Sequence, residues 1–288
     1  MGKARHVECS IEEYHRRPEY SRSQLEVLAA SPPLFYGRFL AKPPLYPREA
    51  SRALELGTAA HTLLSSFADR DQLVEIPEEV LSANGARLGK AWDQFATEHA
   101  GKILLKAAEM ATCRAMIRHV YDHPIGRRIV AEALHYEYSV VWTDAETGLD
   151  LRCRPDILWA GRPPVLVDFK TTRATDRDAW RRECVRYGYH RQIAWYLDGL
   201  NAFQIQACRG LFLAVDKSPA YEVRVFELPE DAIALGRQQN RENLRDLARR
   251  LDEDDWTSVD GREILLVDLP TWAYPDIQLK LGSETCII

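Results

Sequence analysis

The segment RPDILWAGRPPVLVDFKTT, residues 154–172, constrains this chain more than any other. Two apolar runs, Ile157 to Trp159 and Val165 to Val167, flank a Gly-Arg-Pro-Pro break, the pattern of a strand, a turn and a returning strand. Asp156, Asp168 and Lys170 stand in or beside these runs, where an unpaired charge costs free energy. With the turn centred near Arg162, Asp156 and Asp168 are equally far from the centre and fall opposite each other. Directly opposed side chains have Cβ atoms about 4.5–5.5 Å apart, and two like charges at that spacing repel. Asp168 and Lys170 are two residues apart, so they share one face of a strand. The hairpin predicts two carboxylates and one ammonium converging on one point.

Such a carboxylate pair becomes favourable when a divalent cation lies between its members. Hard oxygen ligands select Mg²⁺ or Mn²⁺, and the whole grouping suits metal-assisted phosphodiester hydrolysis, with Lys170 holding the attacking water or countering charge on the phosphate. The plain alternative is a salt bridge between Lys170 and one carboxylate at a strand end, which is the usual meaning of an isolated D-x-K. The Arg-Pro-Asp placed twelve residues upstream of Asp168 weighs against that alternative.

Around this segment the chain reads as helices followed by a mixture of strands and helices. YSRSQLEVLAASPPLFYGRFL (20–40) opens with serines able to cap a helix that reaches Ala30, before Pro32 and Pro33 interrupt it. SRALELGTAAHTLLSSF (51–67) predicts a helix with a stripe of Leu56, Ala60, Leu63, Leu64 and Phe67. Residues 84–119 read as one or two more helices. The segments 134–142, 149–159 and 164–172 are strand-like, and a helical stretch covers about 176–206. GLFLAVDK and YEVRVFEL form a further strand pair, and LPEDAIALGRQQNRENLRDLARRL is an amphipathic helix. This order predicts an α+β (α/β) fold with a central mixed sheet. A single domain is expected, with a helical part at about 20–130, a sheet core at about 131–228, and a helix and tail at 229–288.

Composition narrows the function classes. At 46% hydrophobic and 28% charged residues, the 288-residue chain can build an ordinary core, which excludes general disorder. No apolar run is long enough to span a membrane and MGKARHVECS lacks a signal-peptide core, so a soluble cytoplasmic protein is expected. The six cysteines (9, 113, 153, 184, 208 and 286) include no CxxC spacing, so neither a zinc knuckle nor a disulfide framework is indicated. The net charge of −5 argues against a broad nucleic-acid face and leaves room for a local one. Residues 170–191 offer it, with Lys170, Arg173, Arg177, Arg181, Arg182, Arg186 and Arg191 against three acids; the plain alternative is a solvated helix face.

Pro155-Asp156 and Asp168-Phe169-Lys170 together resemble the PD-(D/E)XK nuclease superfamily. LGTAAH, with Gly57 and His61 one helical turn apart, is similar to the G-x-x-x-H element of its RecB-like branch. RQIAWY, with Gln192 and Tyr196, resembles the Q-x-x-x-Y element, and YSRSQLEVLAASP resembles the S-x-S-x-L…P segment that precedes them. The elements follow the family's order over about residues 20–210, and the details most resemble RecE-type exonucleases of phages and prophages. The resemblance implies His61, Asp156, Asp168 and the Phe169 carbonyl as metal ligands, with Glu137 a further candidate on the preceding strand. Strand alternation would put Glu137 on one face with Ser139 and Val141. It also implies Lys170 as the catalytic lysine, and Gln192, Tyr196, Arg173 and Arg191 as substrate contacts.

By the same resemblance the substrate is the end of duplex DNA, the partner a single-strand annealing protein, and the assembly a homo-oligomeric ring. Iron–sulfur relatives carry closely spaced cysteines flanking the core; Cys9 and Cys286 lack such companions, so no cluster is expected. Three other readings compete. An endonuclease or flap nuclease would use the same site. A catalytically silent DNA-end-binding module would not need His61, Asp156, Asp168 and Lys170 together. A non-haem iron enzyme would fit the arginine-rich segment poorly.

Overall fold

The computed structural model describes residues 4–46, 52–65, 72–258, 261, 264–270, 278–281 and 284–287. A short strand β1 (Arg5–His6) precedes helices α1 (Ile11–Arg16), α2 (Arg22–Ala30) and α3 (Pro32–Phe35). Ser21 stands at the N-cap of α2, and its backbone N–H donates to Gln24 Oε1 at 2.8 Å. Pro32 opens α3 rather than merely ending α2, because a proline in the first turn lacks only an N–H that would be unpaired there. A π-helical turn, Tyr36–Leu40, follows. Helix α4 (Arg52–Leu64) buries Ala60 and Leu64 from the expected stripe, with Leu56 and Leu63 packed beside them; Phe67 lies outside the described residues.

The stretch expected to be helical at 84–119 is broken. After β2 (Leu73–Ile76) come α5 (Lys90–Glu98), β3 (Ile103–Lys106), α6 (Ala107–Asp122) and α7 (Pro124–Ala131), with β3 parallel to β2. Gly101 adopts a φ of +85°, which ends the helical path before the short apolar run Ile103-Leu104-Leu105. That run is too short for a helix of its own, and it is satisfied by pairing.

The sheet core starts with β4 (Ala133–Tyr136), β5 (Val140–Thr143), β6 (Asp150–Cys153), β7 (Ile157–Trp159) and β8 (Val165–Thr172). Helices α8 (Arg177–Arg186) and α9 (Tyr189–Ala202) cross to β9 (Gly210–Asp216), then β10 (Val223–Glu227) leads into α10 (Glu230–Glu253). A hairpin of β11 (Gln278–Leu281) and β12 (Glu284–Ile287) occupies the tail. The five-stranded sheet has the order β10-β9-β8-β7-β4; β8 and β9 are parallel and the other pairs antiparallel, so the sheet is mixed as expected.

Alternation along the central strands divides the core in two. Leu166 and Phe212 face α2, α9 and α10, whereas Val167, Phe169 and Leu213 face α4, α6 and α7. The helical stretch expected at about 176–206 is made of two helices, divided where Gly188 takes a left-handed φ of +61° between α8 and α9. Helix α10 runs against α9 with Gly236 at the crossing, where an added methyl would overlap the His190 carbonyl oxygen. Gly236→Ala is expected to destabilise the fold by about 1–3 kcal/mol through overpacking. An unchanged urea midpoint with an unchanged slope would contradict that account.

The two long strands read at 134–142 and 149–159 do not exist as such. Each changes sheets halfway: the first passes from the main sheet into a separate three-stranded sheet, β1-β5-β6, and the second passes from that sheet back into the main one. One break falls at Glu137 to Ser139, the other at Arg154 to Asp156, where Pro155 cannot donate to a ladder. Glu137 has a left-handed φ of +51°, so it does not alternate with Ser139 and Val141 as expected. Paired bonds join the two corners: Glu137 N–H donates to the Asp156 carbonyl at 2.8 Å and Tyr138 N–H to the Pro155 carbonyl at 3.1 Å.

Candidate active site

The site lies where β7 abandons β8. Ladder pairs Ile157 with Val167, Leu158 with Leu166 and Trp159 with Val165 place the hairpin centre at Arg162. The same register carried one step further sets Asp156 opposite Asp168. Beyond Val167, β8 keeps β9 on one side through Thr172 but has no β7 residue on the other. Asp156 fills the first vacated position with its side chain: Oδ2 accepts the Phe169 N–H at 2.7 Å. One carboxylate oxygen thus replaces a strand's carbonyl.

Helix α4 brings His61 to this gap, with Nδ1 3.5 Å from Asp156 Oδ2 and the imidazole edge-on to the Phe169 ring at 5.0 Å. A donor atom each from His61, Glu137 and Asp156 lie within 4.8 Å of one another. Gly57, one turn earlier in α4, passes the Thr171 side chain, and a Cβ there would find ordinary contact at 3.8 Å.

Asp168 is fully buried and held differently. Lys170 Nζ is 2.5 Å from Asp168 Oδ2, and Gln192 Nε2 donates to Oδ1 at 3.0 Å while also reaching Tyr196 OH at 3.0 Å. Oδ2 itself has no well-angled hydrogen bond, so the ammonium is what balances it. Gln192 thus holds the carboxylate directly, and the Tyr196 hydroxyl accepts from the same amide nitrogen. Of the residues expected to meet substrate, Arg191 pairs with Glu26 at 3.3 Å, and Arg173 is exposed just beyond β8.

The electrostatics follow from crowding three acids around one lysine. Burial, then the Asp168 and Glu137 charges, push the Asp156 carboxyl well above the ordinary aspartate range, with Lys170 and the Phe169 N–H opposing. Burial lowers His61 despite the neighbouring carboxylates, which leaves a neutral imidazole with a free lone pair near pH 7. Tyr196 is raised well above its usual value by burial and by the two aspartates, so its hydroxyl keeps its proton.

Two residues were not singled out in the sequence for the roles they take. Arg154 Nε donates to Glu137 Oε2 at 2.6 Å while its Nη1 binds the Cys9 carbonyl at 2.9 Å and Ser139 Oγ at 3.0 Å. It fixes a glutamate on a strained corner, and its place in Arg-Pro-Asp was the only hint. The Tyr189 ring lies 5.2 Å from Lys170 Nζ, a contact that no spacing announced.

The donor set suits a hard divalent cation. One imidazole and two nearby carboxylates are ligand types found in Mg²⁺ and Mn²⁺ sites, and burial, followed by the neighbouring carboxylate charges, holds Asp156 above its ordinary range.

A mixed sheet with an aspartate pair and a lysine at the open end of its central strands defines a PD-(D/E)XK-type nuclease core. The chain belongs to the family described as PDDEXK-like domain of unknown function (DUF3799), which matches residues 38–261. Among solved structures, a protein from Eubacterium rectale described as a "putative exonuclease" shares the fold with a TM-score of 0.57. It is 14% identical and the match covers 92% of this chain and 96% of that one. SSO0001 is 13% identical over 68% of this chain and 86% of its own, but its TM-score of 0.28 is too low to support an argument. No curated protein matches the chain.

Proposed function

We propose that this protein is a divalent-metal-dependent deoxyribonuclease that hydrolyses phosphodiester bonds from the ends of duplex DNA. One observation carries the reading: His61, Glu137 and Asp156 gather beside the Asp168–Lys170 pair where β8 loses its neighbour. Mg²⁺ or Mn²⁺ would be held by His61, Asp156, Asp168 and the Phe169 carbonyl, with Glu137 as a further donor. When bound, such an ion supplies Lewis acidity at the phosphate and a more acidic water. Lys170 presents its ammonium to the charge that builds on the phosphate. Gln192 keeps Asp168 in its rotamer, and Arg154 does the same for Glu137. The exposed Arg173 serves the phosphate backbone near the cut, and Arg191 shapes the adjoining turn.

The resemblance to RecE-type enzymes, together with a structural neighbour described as a "putative exonuclease", favours end-dependent digestion over internal cutting. The same reading makes the protein a recombination nuclease of phage type, working in the bacterial cytoplasm with a single-strand annealing protein as a homo-oligomeric ring. No helix among the described residues is long and apolar enough to cross a membrane.

Matched linear and closed circular duplexes with Mg²⁺ or Mn²⁺ test the proposal. Only the linear DNA should disappear. Cutting of the circle would establish an endonuclease on the same residues, and inertness with both metals would leave a DNA-end-binding module.

A further inference from the structure

The α8–α9 turn beside the catalytic lysine is built more firmly than a connector requires. Arg22 Nη1 donates to the carbonyls of both Tyr187 and Gly188 at 3.2 Å, from a helix 165 residues earlier in the chain. The Arg191 guanidinium fills the space where a side chain on Gly188 would stand, and its Nε is buried with no hydrogen-bond partner. Arg22 and Arg191 both pair with Glu26, which ties the turn to α2.

This pinned backbone displays an aromatic ring. Tyr187 is 42% exposed although it stacks on Tyr189, at 5.7 Å between centroids and 27° between planes. Tyr189 is in turn the ring beside Lys170 Nζ, and it is backed by Trp180 and Phe212. The exposed end of an aromatic column therefore stands two contacts from the catalytic ammonium, within about three base steps of 3.4 Å. Arg186 lies over Tyr187 at 5.3 Å, and Arg182 sits one helical turn before it. Both are exposed, and neither has an acidic partner among the described residues.

A rigid exposed ring with unpaired guanidinium groups beside it matches the requirements of an unpaired nucleotide. The base stacks on the ring, a guanidinium plane covers its other face, and the second arginine meets the backbone phosphate. We propose that Tyr187 is a base-stacking platform. It takes a base of the unpaired strand at a frayed DNA end, between its own ring and Arg186, while a phosphate about three nucleotides further along that strand lies over Lys170. This rests on the nuclease reading of the site and adds to it a preference for strands already separated at the end.

The test uses full-length protein without divalent metal and fluorescein-labelled eight-residue oligothymidylates, read by anisotropy. One set is intact; the other carries a single abasic position moved along the strand. Tyr187→Ala should bind the intact strand about tenfold more weakly, whereas Tyr187→Phe should stay within about twofold of the wild type. One abasic position should cost the wild type a similar factor and cost Tyr187→Ala nothing further. A 2-aminopurine at that position should be quenched by the wild type and not by Tyr187→Ala. Equal binding by the wild type and Tyr187→Ala, while the wild type binds and digests DNA, overturns the platform and leaves the nuclease standing. Failure of the wild type to bind or digest any DNA overturns both.

Discussion

Lys170→Ala should lose about 10²–10³-fold in kcat on linear duplex DNA, the usual cost of removing one preorganised electrostatic contact from a hydrolytic site. Two effects combine in this variant. The ammonium proposed to meet the phosphate disappears, and the fully buried Asp168 loses the ammonium that faces its Oδ2. Removing one partner of a buried pair costs stability as well, about 3–5 kcal/mol where burial is complete. Lys170 keeps 19% of its side-chain exposure, so the penalty here lies below that range. Lys170→Arg separates the two effects: it keeps a cation near Asp168 but replaces a compact ammonium with a broad fork. It should hold its thermal midpoint near that of the wild type and still lose most activity. Parallel melting curves and single-turnover digestion check this; full activity in Lys170→Ala would remove the lysine from the mechanism.

Asp156→Asn should raise the melting temperature of the metal-free protein at pH 8 while abolishing digestion. The Asp156 carboxyl is raised in the folded state, chiefly by burial and then by the charges of Asp168 and Glu137. A group with a raised folded pKa binds its proton more tightly when folded, so it favours folding below its unfolded value of about 3.9. That contribution is lost as pH rises through the folded pKa, so in alkaline solution the Asp156 carboxyl opposes folding. Asparagine removes the charge and can still accept the Phe169 N–H. Each kcal/mol relieved is worth about 2–4 °C in a chain of this size. Millimolar Mn²⁺ should stabilise the wild type by mass action and leave Asp156→Asn almost unmoved. A variant that melts no higher than the wild type at pH 8, or that responds equally to Mn²⁺, would show that Asp156 carries no such strain.

The hairpin register was legible because it depends only on local pattern: two apolar runs and a Gly-Pro break leave one way to bury both strands. Asp156 opposite Asp168, and Lys170 on the same face as Asp168, follow from that register. The length of the neighbouring strands was not legible. LHYEYSVVW and LDLRCRPDILW each read as one strand, since β-branched and aromatic residues run through the points where the chain changes sheets. The left-handed Glu137 gives no sign of itself in that text. For the same reason Glu137 was placed on a strand face, whereas it occupies a corner clamped by Arg154.

By itself the sequence determined the mixed α/β character, the central hairpin and the residue types of the site, all products of short-range periodicity and turn chemistry. Tertiary structure alone decided which groups share a charge environment. His61 meets Asp156 across 95 residues of chain, and Gln192 clamps Asp168 from a helix on one side of the sheet. Tyr187 stacks on the Tyr189 ring that lies beside the lysine, across a turn made by the left-handed Gly188. Hydrophobic periodicity specifies which face of an element is buried. Where that face comes to rest depends on the packing of both core layers together, and that is a property of the whole chain.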